Sequence, residues 1–193
     1  MKPTVKSAWI ALLVLSICAG AAVSGEWKDC AYLPKKTAAN PYPNLEVCRN
    51  CGTVESGKIS LSKEFIRKLG FDEHGLASVA VDGRYYYAKR SGAMLPVISF
   101  ENWADDYAEG LVRSMVDGRI AYFDRRFRQV IAPRYDWGAP FENGRALVCK
   151  GCGIEPSDEE GHRRVAGGLW GYIDRKGREV VPVKFTRDEI ERE

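Results

Sequence analysis

Two short stretches hold the residues best suited to chemistry: Val47-Cys48-Arg49-Asn50-Cys51-Gly52 and Val148-Cys149-Lys150-Gly151-Cys152-Gly153. Each places two thiols one turn apart, and the shared valine before and glycine after mark the motifs as related. Four thiolates brought together, Cys48, Cys51, Cys149 and Cys152, would hold a tetrahedral zinc ion, the glycines letting each turn fold its amides towards sulfur. Oxidised, the same residues would form disulfides. A thiol-redox centre is a third use, although neither motif opens a helix after a strand. Zinc and disulfides both stay open on the residues alone. In either case the shared dressing of the two motifs leads us to expect that they meet. They would then clasp the start of the chain to its last part across a loop of about 100 residues. Cys30 makes the number of cysteines beyond Cys18 odd, leaving one thiol unpaired or joined to a second chain.

The remaining candidates are weaker. His74 and His162 stand in loop-like surroundings without a neighbouring serine nucleophile, and Asp105-Asp106 and Glu159-Glu160 read as solvated turns rather than a glycosidase pair. Gly167-Gly168 precedes a strand and lacks the Gly-Lys-Ser/Thr of a phosphate loop. No catalytic or cofactor-binding residue is assigned, zinc being the one cofactor considered, and no enzymatic activity is expected.

Composition bounds what these residues can serve. The chain of 193 residues is 45% hydrophobic and 28% charged, a globular balance, and its nineteen glycines and nine prolines suit many short strands and turns. Residues 1–24 differ from the rest. Lys2 and Lys6 precede an uncharged run centred on AWIALLVL, followed by AGAAVSG, in which Ala22-Val23-Ser24 fits a cleavage site. The apolar centre is too short for a membrane span of ~20 residues, so a secretory signal is expected and with it a periplasmic or extracellular location. Leu15-Ser16-Ile17-Cys18 is similar to a bacterial lipoprotein signal, with Ile17 where a small residue is usual, so a lipid on Cys18 is the alternative anchor. Without residues 1–24, Lys and Arg fall from 29 to 27 against 26 acids, a net charge near +1 that excludes a nucleic-acid stripe.

The elements that must position the cysteines come from a repeat. VDGRYYYAKRSGAMLPVISF (81–100) and VDGRIAYFDRRFRQVIAPRY (116–135) both open on Val-Asp-Gly-Arg, and with GGLWGYIDRKGREVVPVKF (167–185) they share an aromatic-rich run, a polar turn and an apolar run reaching Pro96, Pro133 or Pro182. Between them ENWADDYAEGLVR (101–113) rhymes with DWGAPFENGRALV (136–148). About 15 extra residues between Ala146 and Gly167 read as a loop insertion carrying Cys149 and Cys152. In the last copy Trp170 and Tyr172 alternate with Gly171 and Ile173, the period of a strand with one buried face. A lone hairpin cannot bury that face, so copies must stack and Trp170 is expected in the core.

GGLWGYIDRKGREVVP resembles the WG-repeat (KWG) family, whose name reflects the pair Trp170-Gly171; Tyr85-Tyr86 and Ile120-Ala121 look like diverged copies of it. The resemblance implies small β units in a bacterial protein and supplies no catalytic residues. The expected fold is mostly β: about three stacked antiparallel hairpin or meander repeats, in units near 76–110, 111–144 and 145–185. Ahead of them we expect an irregular Cys- and Pro-containing segment over 25–60 and a short helix in LSKEFIRKLGFD (61–72), capped by Ser62. Residues 186–193 read as a polar tail in solvent. The function expected is that of an exported binding or structural module of the bacterial envelope, its partner an envelope protein or glycan. The alternative is a zinc-stabilised or thiol-redox periplasmic protein.

Overall fold

The computed structural model describes residues 25–100, 103–156 and 164–192. The signal-like segment with Cys18, the pair Glu159-Glu160 and His162 lie outside them.

The described chain is mostly β, and every strand pairing within it is antiparallel. Strands β1 (Glu26–Tyr32), β2 (Glu46–Glu55) and β3 (Lys58–Leu61) come first, then the one-turn helix α1 (Lys63–Ile66). A meander follows: β4 (Leu76–Val81), β5 (Arg84–Lys89) and β6 (Met94–Val97). It joins the first three strands in a six-stranded sheet of order β3-β2-β1-β4-β5-β6. The short pair β7 (Ser99–Phe100) and β8 (Trp103–Ala104) leads to a second meander, β9 (Leu111–Val116), β10 (Arg119–Asp124) and β11 (Gln129–Tyr135). A third comprises β13 (Arg145–Ile154), β14 (Val165–Asp174) and β15 (Glu179–Phe185), with β12 (Trp137–Gly138) on its edge and the helix α2 (Arg187–Ile190) after it.

The turns explain why these sequences fold back. β4 and β5 are joined by Asp82-Gly83, and β9 and β10 by Asp117-Gly118, with both residues of each pair at positive φ. Asp-Gly is favoured there because the twist of a two-residue hairpin needs a left-handed backbone at both positions. At the other end of the second and third meanders one aspartate clamps the turn. Asp124 Oδ1 accepts the amides of Arg126 and Arg128, and Asp174 Oδ1 those of Lys176 and Arg178. In each, the arginine four residues on closes an ion pair with the same carboxylate, at 2.7 Å for Arg128 and 2.6 Å for Arg178.

The Trp-Gly pair has a packing reason. Trp170 is fully buried and its indole N–H donates to Gly167 O at 2.8 Å. A Cβ on Gly171 would stand 2.6 Å from Val181 O and 2.7 Å from Pro182 O, where β15 bulges against β14. Only glycine lets the two backbones approach so closely. At the matching position Ala121 is fully buried, and Tyr86 joins the core between the six-stranded sheet and α1.

Four readings of the sequence need correction. The segment 25–60 is not irregular: β1, β2 and β3 occupy most of it, and the prolines Pro34, Pro41 and Pro43 are confined to the β1–β2 connection, away from the ladder. Burial of Cys30 and Tyr32, alternating with the exposed Asp29 and the half-buried Ala31, sets the strand period in β1. The short helix begins where expected, with Ser62 capping it through a 3.1 Å bond from the Phe65 amide, but it ends at Ile66 rather than reaching Gly70. It stops because Leu69 bridges to Pro34 and the Gly70 amide donates to Leu33 O. The supposed loop insertion is an extension of the β13–β14 hairpin, so Cys149 and Cys152 belong to a strand. The tail docks: Thr186 and Glu189 form a capping box, and Ile190 is buried in the cluster holding Trp170.

Candidate functional site: the cysteines and the hairpin turns

The two CxxC motifs do not come together. Cys48 and Cys51 lie on β2 in the six-stranded sheet, Cys149 and Cys152 on β13 in the third meander, and the two pairs belong to different core clusters. Cys51 pairs instead with Cys30, with Cα atoms 5.8 Å apart, and Cys149 pairs with Cys152 at 6.1 Å. Cys48 stays free. Among the described residues no cluster of His, Cys, Asp or Glu could hold a metal ion, so the expected clasp is overturned. The physical reason is the strand register. Cys30 lies opposite Cys48 in the β1–β2 ladder, and a register shift between Lys28 and Cys30 gives its sulfur to Cys51. In β13, Gly151 at φ +74 breaks the alternation that would point Cys149 and Cys152 to opposite faces.

Cys48 is half-buried, with Lys68 Nζ at 4.0 Å from its sulfur. Near it, Tyr32 donates to Glu46 Oε2 at 2.8 Å. Burial first, then the bond to Glu46, pushes the Tyr32 phenol up to about 12.

His74 is exposed, its Nε2 3.5 Å from Glu73 Oε1. Asp105, in contrast, is no solvated turn. It is buried, accepts the Arg113 amide at 3.0 Å, and pairs with the equally buried Arg113 guanidinium at 2.5 Å. Arg113 also donates to Gly138 O at 3.0 Å, tying the connection after the first meander to the second and on to β12. The sequence signal was the eight-residue spacing of opposite charges on either side of an Ala-Glu-Gly turn.

The hairpin turns form the other candidate surface. Lys89 Nζ of the first lies 4.2 Å over the ring of Phe127 in the second. A Cβ placed on Gly110 would stand 3.5 Å from Arg125 Nη1 of the second turn and 3.8 Å from Arg175 Nη2 of the third. Arg134 Nη2 donates to Gly177 O, again joining second to third. Equivalent turns thus sit side by side.

A family model described as the WG containing repeat matches residues 121–151 and 170–187. The chain carries WG repeats. The matched residues fall in the second and third meanders of this WG-repeat protein, from β10 into β13 and from Trp170 into α2. No curated protein and no solved structure gives a significant match.

Proposed function

We propose that this WG-repeat protein is exported into the bacterial envelope and works there as a non-enzymatic binding or structural module built of three stacked repeat meanders. The disulfides carry this reading. Cys30, Cys51 and Cys149 are among the most buried residues, and pairing them suits an oxidising compartment. Repetition supports the module reading. Tyr87 and Tyr122, at matching positions, both donate to the backbone of the following connection, at Asp105 O (3.0 Å) and Ala139 O (2.8 Å). Glu109 accepts the amide of Gly144, thirty-five residues on, so the repeat period is itself spanned by a hydrogen bond. Fractionation with N-terminal sequencing tests the reading. Protein beginning near Gly25 in the envelope fraction is expected, and cytosolic protein that keeps Met1 would defeat it.

A second reading, thiol exchange, rests on Cys48. Cys48 lies across the β1–β2 ladder from Cys30, one half of the Cys30–Cys51 bond. Attack on Cys30 Sγ would form Cys30–Cys48 and release Cys51 as the thiolate, with no net oxidation. Peptide mapping after rapid alkylation decides it. A mixture of pairings favours exchange, and Cys30–Cys51 alone with Cys48 alkylated rejects it.

A further inference from the structure

The turns of the second and third meanders carry most of the molecule's unbalanced charge. Arg125, Arg126 and Arg128 fall in one, and Arg175, Lys176 and Arg178 in the other. Arg134 reaches between them to Gly177 O. The carboxylates are Asp124 and Asp174, already held by Arg128 and Arg178, with Asp106 and Glu109 in the preceding connection. Glu179, beyond the turn, is taken by Lys150 at 3.3 Å. Seven cations against four carboxylates leave a local excess of +3, above the net charge near +1 of the chain from Gly25 on, so the rest of that chain is slightly acidic.

Geometry adds two features. Gly110, at φ +83, keeps open a space that the head groups of Arg125 and Arg175 both approach within 4 Å, so one oxyanion there would meet two guanidiniums. Val130 and Val180, the second residues of β11 and β15, are 41% and 53% exposed. Exposed apolar residues among cations suit an interface with headgroups above and acyl chains below, and gain nothing against a soluble polyanion. The first turn contributes less, because Asp72 and Glu73 directly follow Phe71, over whose ring Arg90 lies; a ring contact alone does not withdraw a cation, since Arg125 itself lies over the ring of Tyr107.

We infer that the paired turns of the last two repeats form a docking ridge for the phosphate groups of an anionic membrane surface, with Arg125 and Arg175 gripping one phosphate beside Gly110 and Val130 and Val180 entering the interface. This names the partner of the binding module proposed above. The test is co-flotation of protein beginning at Gly25, which retains every described element, with vesicles of phosphatidylglycerol and phosphatidylcholine or of phosphatidylcholine alone. Binding is expected on the anionic vesicles only, weakening with salt, and the double variant R125E/R175E should lower it at least about tenfold while keeping the melting temperature of the parent. Val180→Ser should weaken binding with no change in the salt dependence. Absence of binding, or binding indifferent to charge reversal, overturns the proposal. So does binding of inorganic phosphate without vesicle binding, which would leave a small-anion site. The two readings fail separately: an envelope protein that ignores vesicles defeats the ridge alone, and a cytosolic protein that binds them defeats export alone.

Discussion

The two connections between successive meanders share a frame and differ in filling. Trp103-Ala104-Asp105 and Trp137-Gly138-Ala139 follow the first and second meanders, and each accepts a tyrosine hydroxyl from β5 or β10. In the first, Asp105 and Arg113 form a buried ion pair; in the second, Ala139 and Leu147 hold the matching places. Backbone and tyrosine therefore define the joint, while the side chains behind it are exchangeable as a pair. A buried pair costs desolvation that an apolar filling avoids, so the first joint gains no certain stability from its charges. It gains reach, since Arg113 also holds Gly138 O.

The largest effects come from breaking one half of a joint. Arg113→Ala should destabilise by about 3–5 kcal/mol, because Asp105 is left charged and buried, and urea unfolding would measure it. Leu147→Ala, at the half-buried counterpart, should cost only about 1–2 kcal/mol. Replacing both members at once, Asp105→Ala with Arg113→Leu, copies the second joint into the first and should recover most of the loss. Recovery of nothing would mean that the two joints differ in more than their filling. Trp170→Ala belongs in the same upper range, about 3–5 kcal/mol, since its ring packs against Trp137 and carries Arg187 above it.

Below these come the tyrosines. Tyr87→Phe and Tyr122→Phe should each cost about 1 kcal/mol and by similar amounts, read as paired shifts in the urea midpoint. Unequal costs would show that the shared frame is not energetically shared.

The smallest effect is acid dependence of the turn clamps. The Arg178 amide first, then the Arg178 side chain and the Lys176 amide, hold the Asp174 carboxyl below its ordinary 3.8. Asp124 is also held low, where burial pushes upward but the Arg128 amide and guanidinium outweigh it. A depressed carboxyl stabilises the fold above its unfolded value, and that contribution disappears as pH falls through the folded value. Asp174→Asn should therefore flatten the fall of the melting temperature below about pH 4 and matter little in its slope near neutrality.

What the sequence showed and hid follows from range. Trp170, the Asp-Gly turns and the alternation around Tyr172 are local signals, and they marked a buried-face β repeat. The cysteine pairing was hidden because register decides it: a shift between Lys28 and Cys30 moves the partner from Cys48 to Cys51, and nothing near Cys51 announces that. Asp105 was read as solvated because its burial depends on Arg113 and on Gly138, thirty-three residues further along. The docked tail was legible in part, since Thr186 and Glu189 have capping-box spacing, but its anchor Ile190 needed Trp170 to be placed first.

The exchangeable joints imply that the meanders fold as one body. Urea unfolding followed in parallel by tryptophan fluorescence, which reports packing around Trp27, Trp103, Trp137 and Trp170, and by far-ultraviolet circular dichroism, which reports every strand, tests this most directly. Coincident single transitions are expected for the parent protein and for the Asp105→Ala, Arg113→Leu double variant. Two separated transitions in the parent, with fluorescence changing apart from the strand signal, would contradict a single stacked array.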